Sequence, residues 1–182
     1  SLHIINLKNS ATAALAPVLG ATGKLEIVLT GDQYAKDEEA LFDSNVNSFI
    51  RKFLSIQPFK SRESQINFRS VFHTSVLGCD RFIQKGSDDT FNCLVEASKI
   101  VNTAGGSYDK IGVIVNNDPS SSEANGRAMP GSDCCAVQYN NQGGPLTFVH
   151  EMGHLLGDLW DEYNSVTTDG PIDNSTSDNC YA

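Results

Sequence analysis

Apolar and polar positions alternate along this chain in blocks that read as strands and helices in turn. Leu25-Glu26-Ile27-Val28-Leu29 is a short apolar run closed by Thr30-Gly31-Asp32, the pattern of a buried strand ending in a turn. From Asp37 to Leu54 the period changes. Leu41, Phe42, Val46, Phe49, Ile50 and Phe53 fall at helical spacing and predict an amphipathic helix that Pro58 stops. Ile66 to Phe72 predicts a second strand, with Ile66, Phe68 and Ser70 on one side. Ser75 to Asp89, with its glycine and polar punctuation, reads as a loop. Thr90 to Asn102 predicts a second helix with a stripe of Phe91, Leu94, Val95 and Ile100, capped by Ser87, Asp88 or Asp89 and ended by Gly105-Gly106.

Ile111-Gly112-Val113-Ile114-Val115 is the most apolar of the strand candidates. Asn117 to Gly131 reads as a long polar loop, and Cys134 to Tyr139 as a short edge strand. The turn Asn141-Gln142-Gly143-Gly144-Pro145 launches a last helix from Leu146 to about Leu156, with Phe148, Val149, Met152 and Leu156 facing the core. Strands alternating with helices predict an α/β fold with a mixed, mostly parallel sheet and right-handed crossovers. With 182 residues the expectation is one domain over residues 1–182, large enough to bury a real core.

Charge changes the picture more than bulk composition does. The net charge is −9, and the last basic residue is Arg127. Residues 128–182 hold eight acidic residues and no Lys or Arg, a surface that repels phosphate backbones and argues against nucleic-acid binding. Solvation accounts for Asp169, Asp173 and Asp178, whose spacing is not that of a calcium loop. No apolar run is long enough to span a membrane, and residues 11–21, broken by Pro17, make a poor signal peptide. The five cysteines contain no CxxC pair. Cys79 and Cys93 could close a loop, while the adjacent Cys134 and Cys135 would bond to different partners. These cysteines and the sequon Asn174-Ser175-Thr176 lean toward a secreted, extracellular or periplasmic protein.

The chemistry concentrates in His150-Glu151-Met152-Gly153-His154, an HExxH pattern inside the apolar stretch Leu146–Trp160. Two histidines four apart project from one side of a helix, where one Zn²⁺ accepts both imidazoles. The intervening glutamate then stands beside the metal's open position as a general base. The alternative is an ordinary surface helix. Against it stands the cost of burying two imidazoles and a glutamate with nothing bound to them. The other two histidines, His3 and His73, read as structural or surface residues. A third ligand is needed; Gly157 resembles the glycine at which one large clan of HExxH proteins breaks the helix before a further His or Asp returns to the metal, which implies a ligand soon after it. Asp161 is the first choice, then Glu162, then Asp158, whose short side chain on a straight helix sits too far past the metal. The carboxylates that do not ligate would orient the ligating histidines.

His150 to Tyr163, HEMGHLLGDLWDEY, resembles the signature of the IgA-peptidase family of zinc metallopeptidases. Ile27 to Tyr34, with its Gly31-Asp32-x-Tyr34 turn, resembles that family's early strand. Glu38 to Phe59 resembles the helix that follows, and Val113 to Asp118 its central strand. The resemblance implies a zincin-like domain and a Zn²⁺-dependent endopeptidase acting on protein or peptide substrates. The mechanism this implies puts His150, His154 and Asp161 on the metal and Glu151 as the base, with Tyr163, Tyr139 and Arg127 as candidates for oxyanion stabilisation. An extended peptide would lie along Cys134–Tyr139. The chain departs from the pattern in two places. Metzincin-type enzymes carry a methionine turn after the third ligand, whereas Met129 and Met152 both precede it. The family also continues well past Tyr181, so a truncated or compact form is expected. The competing expectations are a non-catalytic binding module that keeps a structural zinc, and an interaction domain without metal.

Overall fold

The computed structural model describes residues 2–4, 24–85, 90–116, 125–128, 132–139 and 143–157. Six strands form one sheet: β1 (Leu2–Ile4), β2 (Leu25–Asp32), β3 (Ile66–Val71), β4 (Lys110–Val115), β5 (Gly126–Ala128) and β6 (Cys134–Gln138). Among the described residues four α-helices accompany them: α1 (Glu39–Ser55), α2 (Cys79–Lys85), α3 (Thr90–Ala104) and α4 (Gly144–Gly157). The spatial order is β1-β3-β2-β4-β6-β5. The four inner strands are parallel, and β1 and β5 run antiparallel at the two margins. The expected mixed, mostly parallel α/β sheet is therefore present. Among the described residues no helix is long and apolar enough to cross a membrane.

Strand alternation divides the core into two layers. Ile27 and Leu29 of β2, Ile114 of β4, and Cys135 and Val137 of β6 meet α1 and α4 on one face. Val28, Ile111, Val113, Val115, Cys134 and Ala136 point the other way, toward α2 and α3. On α1, Phe42, Val46, Phe49, Ile50 and Phe53 are wholly buried, as the period predicts, but Leu41 is 41% exposed. On α3 the seat is made by Cys93, Ala97 and Val101, one turn apart, with Leu94 and Ile100 flanking and Val95 42% exposed. Small side chains let that helix approach the sheet, which a search for large apolar residues does not anticipate. Gly105 and Gly106, with φ of 84° and 88°, end it in the left-handed region open to glycine.

Three sequence expectations need correction. The segment assigned to a loop contains α2, held by two long-range features. The fully buried Asp32 carboxylate accepts the Leu77 and Cys79 amides at 2.7 and 2.8 Å, and a Cys79–Cys93 disulfide ties α2 to α3. The strand at 134–138 is interior: it pairs with β4 on one side and β5 on the other. The margin belongs to β5, inside the expected polar loop. Finally, Cys134 and Cys135 are buried thiols on opposite faces of β6 rather than bonded cysteines. Burial pushes Cys134 up to about 12 and Cys135 well above its usual range, so both stay protonated.

Candidate metal centre

Helix α4 starts where two backbones nearly touch. A Cβ on Gly144 would stand 2.7 Å from the Gln138 carbonyl oxygen, so only glycine fits that join. The Gly143 carbonyl then accepts the Leu146 and Thr147 amides at 3.0 and 2.9 Å and the Thr147 hydroxyl at 3.2 Å. Pro145 sits in the first turn, where its missing N–H costs nothing. The inward face is Phe148, Met152 and Leu155, with Val149 and Leu156 packed at its margins. Leu155, not Leu156, completes the buried stripe.

The outward face carries the histidine pair. Nε2 of His150 and Nε2 of His154 stand 3.1 Å apart, their rings nearly perpendicular at 86° with centroids 4.6 Å apart. Between neutral imidazoles this spacing requires one ring to donate and the other to accept, according to tautomer. It also suits a shared metal. With Zn–N bonds of about 2.0–2.1 Å, two nitrogens 3.1 Å apart subtend roughly 98° at the ion, close to a tetrahedral angle. The two nitrogens are therefore spaced as two ligands of one zinc ion. The burial expected of both rings does not hold: His150 is exposed and His154 intermediate. Convergence of the nitrogens, rather than desolvation, is what the structure offers.

Glu151 lies on the inward side, 6% exposed, between α4 and the marginal strand. A Cβ built on Gly126 of β5 would meet its Cγ at 2.8 Å and its Oε1 at 2.9 Å. Cys135 belongs to the same face, and the Glu151 charge contributes to keeping its thiol protonated, behind burial and Cys134. Sequence reasoning missed Gly126. Its only signal was a glycine within a polar stretch, and its neighbour across space is 25 positions away.

Two residues expected to serve an oxyanion are placed elsewhere or otherwise engaged. Arg127 alternates to the far face of the sheet, where its guanidinium lies 5.9 Å from the Phe82 ring centre and donates to the Phe82 carbonyl at 3.4 Å. It cannot serve a site on the α4 face. Tyr139 follows β6 and stacks on Phe49 with ring centres 6.2 Å apart. Asp161, Glu162, Asp158 and Tyr163 lie outside the described residues. Among the described residues no group of three or more His, Cys, Asp or Glu gathers around one point, so any complete ligand set draws on a residue beyond Gly157 or outside the described segments.

No family model matches the chain, and no curated protein does. Among solved structures, one described as the structure of a chaperone–substrate complex overlaps 72% of this chain and 25% of its own, at 16% identity and a TM-score of 0.38. The chain thus spans about a quarter of that protein's length, and overlap at this level does not establish a shared fold.

Proposed function

We propose that this chain is a zinc-dependent endopeptidase with a zincin-like domain of the IgA-peptidase kind. The reading is carried by one observation: two imidazole nitrogens 3.1 Å apart on the outward face of α4, with a buried carboxylate on the residue between them. His150 and His154 would hold the ion with Asp161 as third ligand. Bound zinc supplies Lewis acidity, lowering the pKa of a water and polarising the scissile carbonyl. Glu151 accepts the water's proton and passes it to the departing amine. Tyr163 stabilises the developing oxyanion. The substrate peptide pairs as an extended strand along the outer margin of β5, which lies against Glu151, rather than along the interior β6. The Cys79–Cys93 disulfide supports export to an oxidising compartment.

One observation favours a second reading, a binding module that keeps a structural zinc. Both methionines, Met129 and Met152, precede His154, and residues 162–182 contain no methionine to form a turn beneath the ion. Elemental analysis combined with digestion of an unfolded protein substrate separates the two. The peptidase reading expects a single zinc per chain in the wild type and in Glu151→Gln, and cleavage by the wild type alone, lost on chelation. Zinc without cleavage in the wild type selects the binding module. Absence of zinc in metal-replete protein defeats both.

A further inference from the structure

We propose that Gly126 is a positioning residue for Glu151: its missing side chain is what allows the carboxylate to stand where it does. The proposal rests on the peptidase reading for its kinetic consequence, but not for its structural one.

Glycine is a poor strand residue, lacking a side chain to pack and losing the most backbone freedom. Gly126 is not there for an unusual backbone angle, because among the described residues the glycines with positive φ are Gly78, Gly105 and Gly106. What distinguishes it is proximity. A Cβ at this position would lie 2.6 Å from Cγ2 of Thr147, 2.8 Å from Cγ of Glu151 and 2.9 Å from Oε1 of Glu151. Each is closer than real carbon contacts come. Reaching an ordinary 3.4 Å requires the glutamate atoms to retreat by about 0.5–0.6 Å.

The surroundings determine which group yields. Thr147 is β-branched, stiff at χ1, and its hydroxyl is tied to the Gly143 carbonyl. The α4 backbone is seated by Phe148, Met152 and Leu155. On the other side, β5 pairs with β6 through all three of its residues. The Glu151 side chain is the freely rotatable one of the two, so its 2.8 and 2.9 Å contacts are relieved by its own displacement, while the 2.6 Å contact with Thr147 Cγ2 takes a small shift of Thr147 or β5. A general base must be held within about 0.5 Å of its productive position, and a misplacement of about 1 Å costs on the order of 10²-fold. The β5 glycine thus sets where the base stands; the three atoms nearest its absent Cβ belong to Thr147 and Glu151 and not to either histidine.

The experiment compares wild type, Gly126→Ala, and the double variant Gly126→Ala/Thr147→Ser, by crystal structure, zinc content and steady-state peptide hydrolysis. Gly126→Ala is expected to displace the Glu151 carboxylate by about 0.5 Å or more and to lower kcat by roughly 10–100-fold. KM should stay within about threefold and zinc content should be unchanged. Removing the Thr147 methyl should not restore kcat, because the carboxylate clash persists. The proposal is overturned if β5 moves outward with Glu151 in its wild-type place, or if the double variant recovers the lost rate through relief at Thr147. A wild type that binds zinc but cleaves nothing defeats the peptidase reading instead, and the two crystal structures still decide the position of Glu151.

Discussion

Replacing Phe148 with alanine tests whether the inward face of α4 holds the candidate site in place. Phe148 is 1% exposed, with its ring tilted against Phe49 and Phe53 at centre distances of 5.4 and 5.8 Å. Below it lies Gly112 of β4, where a Cβ would meet the ring at 2.6 Å. Truncating a buried phenylalanine costs about 3–5 kcal/mol, the transfer of the ring plus the cavity left behind. Two features place this case in the upper half of that range. The aromatic contacts are worth roughly 0.5–1.5 kcal/mol each beyond area, and a glycine floor has no side chain with which to fill the void. A loss of about 4–5 kcal/mol is comparable with much of a typical domain's stability of about 5–15 kcal/mol. At roughly 2–4 °C per kcal/mol for a chain of this size, Tm should fall by about 8–20 °C. The measurement is urea and thermal unfolding followed by far-ultraviolet circular dichroism on chelated protein, so that metal linkage does not mask the change. Leu146→Ala, on the same helix but at a residue 53% exposed, should stay within about 0.5 kcal/mol. A Phe148→Ala cost below about 1.5 kcal/mol, or no larger than that of Leu146→Ala, would refute the packing account.

Two further outcomes follow from the other face. The Cys79–Cys93 bridge closes a loop of sequence separation 14, so Cys79→Ser/Cys93→Ser should lose about 3 kcal/mol by chain-entropy reasoning, read from urea midpoints at constant m; a loss under about 1 kcal/mol would contradict it. Burial pushes the His73 imidazole below its usual 6.5, with the Asp32 charge and the Gly31 backbone partly opposing. The unfolded chain therefore takes up this proton first, and stability should decline as pH falls from about 6.5 toward the lowered folded-state value, then stop declining on this account. His73→Gln should flatten that limb of unfolding free energy against pH, and identical slopes in the two proteins would rule the assignment out.

What the sequence made legible was whatever depended on near neighbours. The apolar runs at 25–29 and 111–115 are strands because their residues are buried on both faces. The spacing of Phe42, Val46, Phe49, Ile50 and Phe53 made α1 readable to within two residues at each end. The failures share the opposite property. Helix α2 contains little periodic signal and depends on Asp32, more than 40 positions upstream, and on Cys93. The seat of α3 uses Cys93 and Ala97, which score low as apolar residues but allow close approach. Strand β5 is three residues without a β-branched side chain, held by its pairing with β6. The candidate site divides the same way. His150, Glu151 and His154 were visible because one helix presents all three, whereas Gly126 and Cys135 reach Glu151 only through the sheet.

That division gives α4 two faces with separable consequences. Phe148, Met152 and Leu155 face the sheet and bear on stability, while His150 and His154 face outward and belong to the proposed metal site. A substitution of either histidine should therefore change zinc content with little effect on the unfolding of chelated protein, and a substitution on the inward stripe should do the reverse. Glu151 belongs to neither set. It is buried on the side of β5 yet adjacent in sequence to a candidate ligand, and its surroundings are set by a strand whose pairing holds it in register with β6. The helix alone can bring two nitrogens together, because residues four apart lie one above the other. It cannot place a third donor on the same point without leaving its own axis, and its last described residue, Gly157, is where such a departure is easiest. Asp161, four residues beyond that glycine in the sequence, is the third ligand the proposed centre draws on.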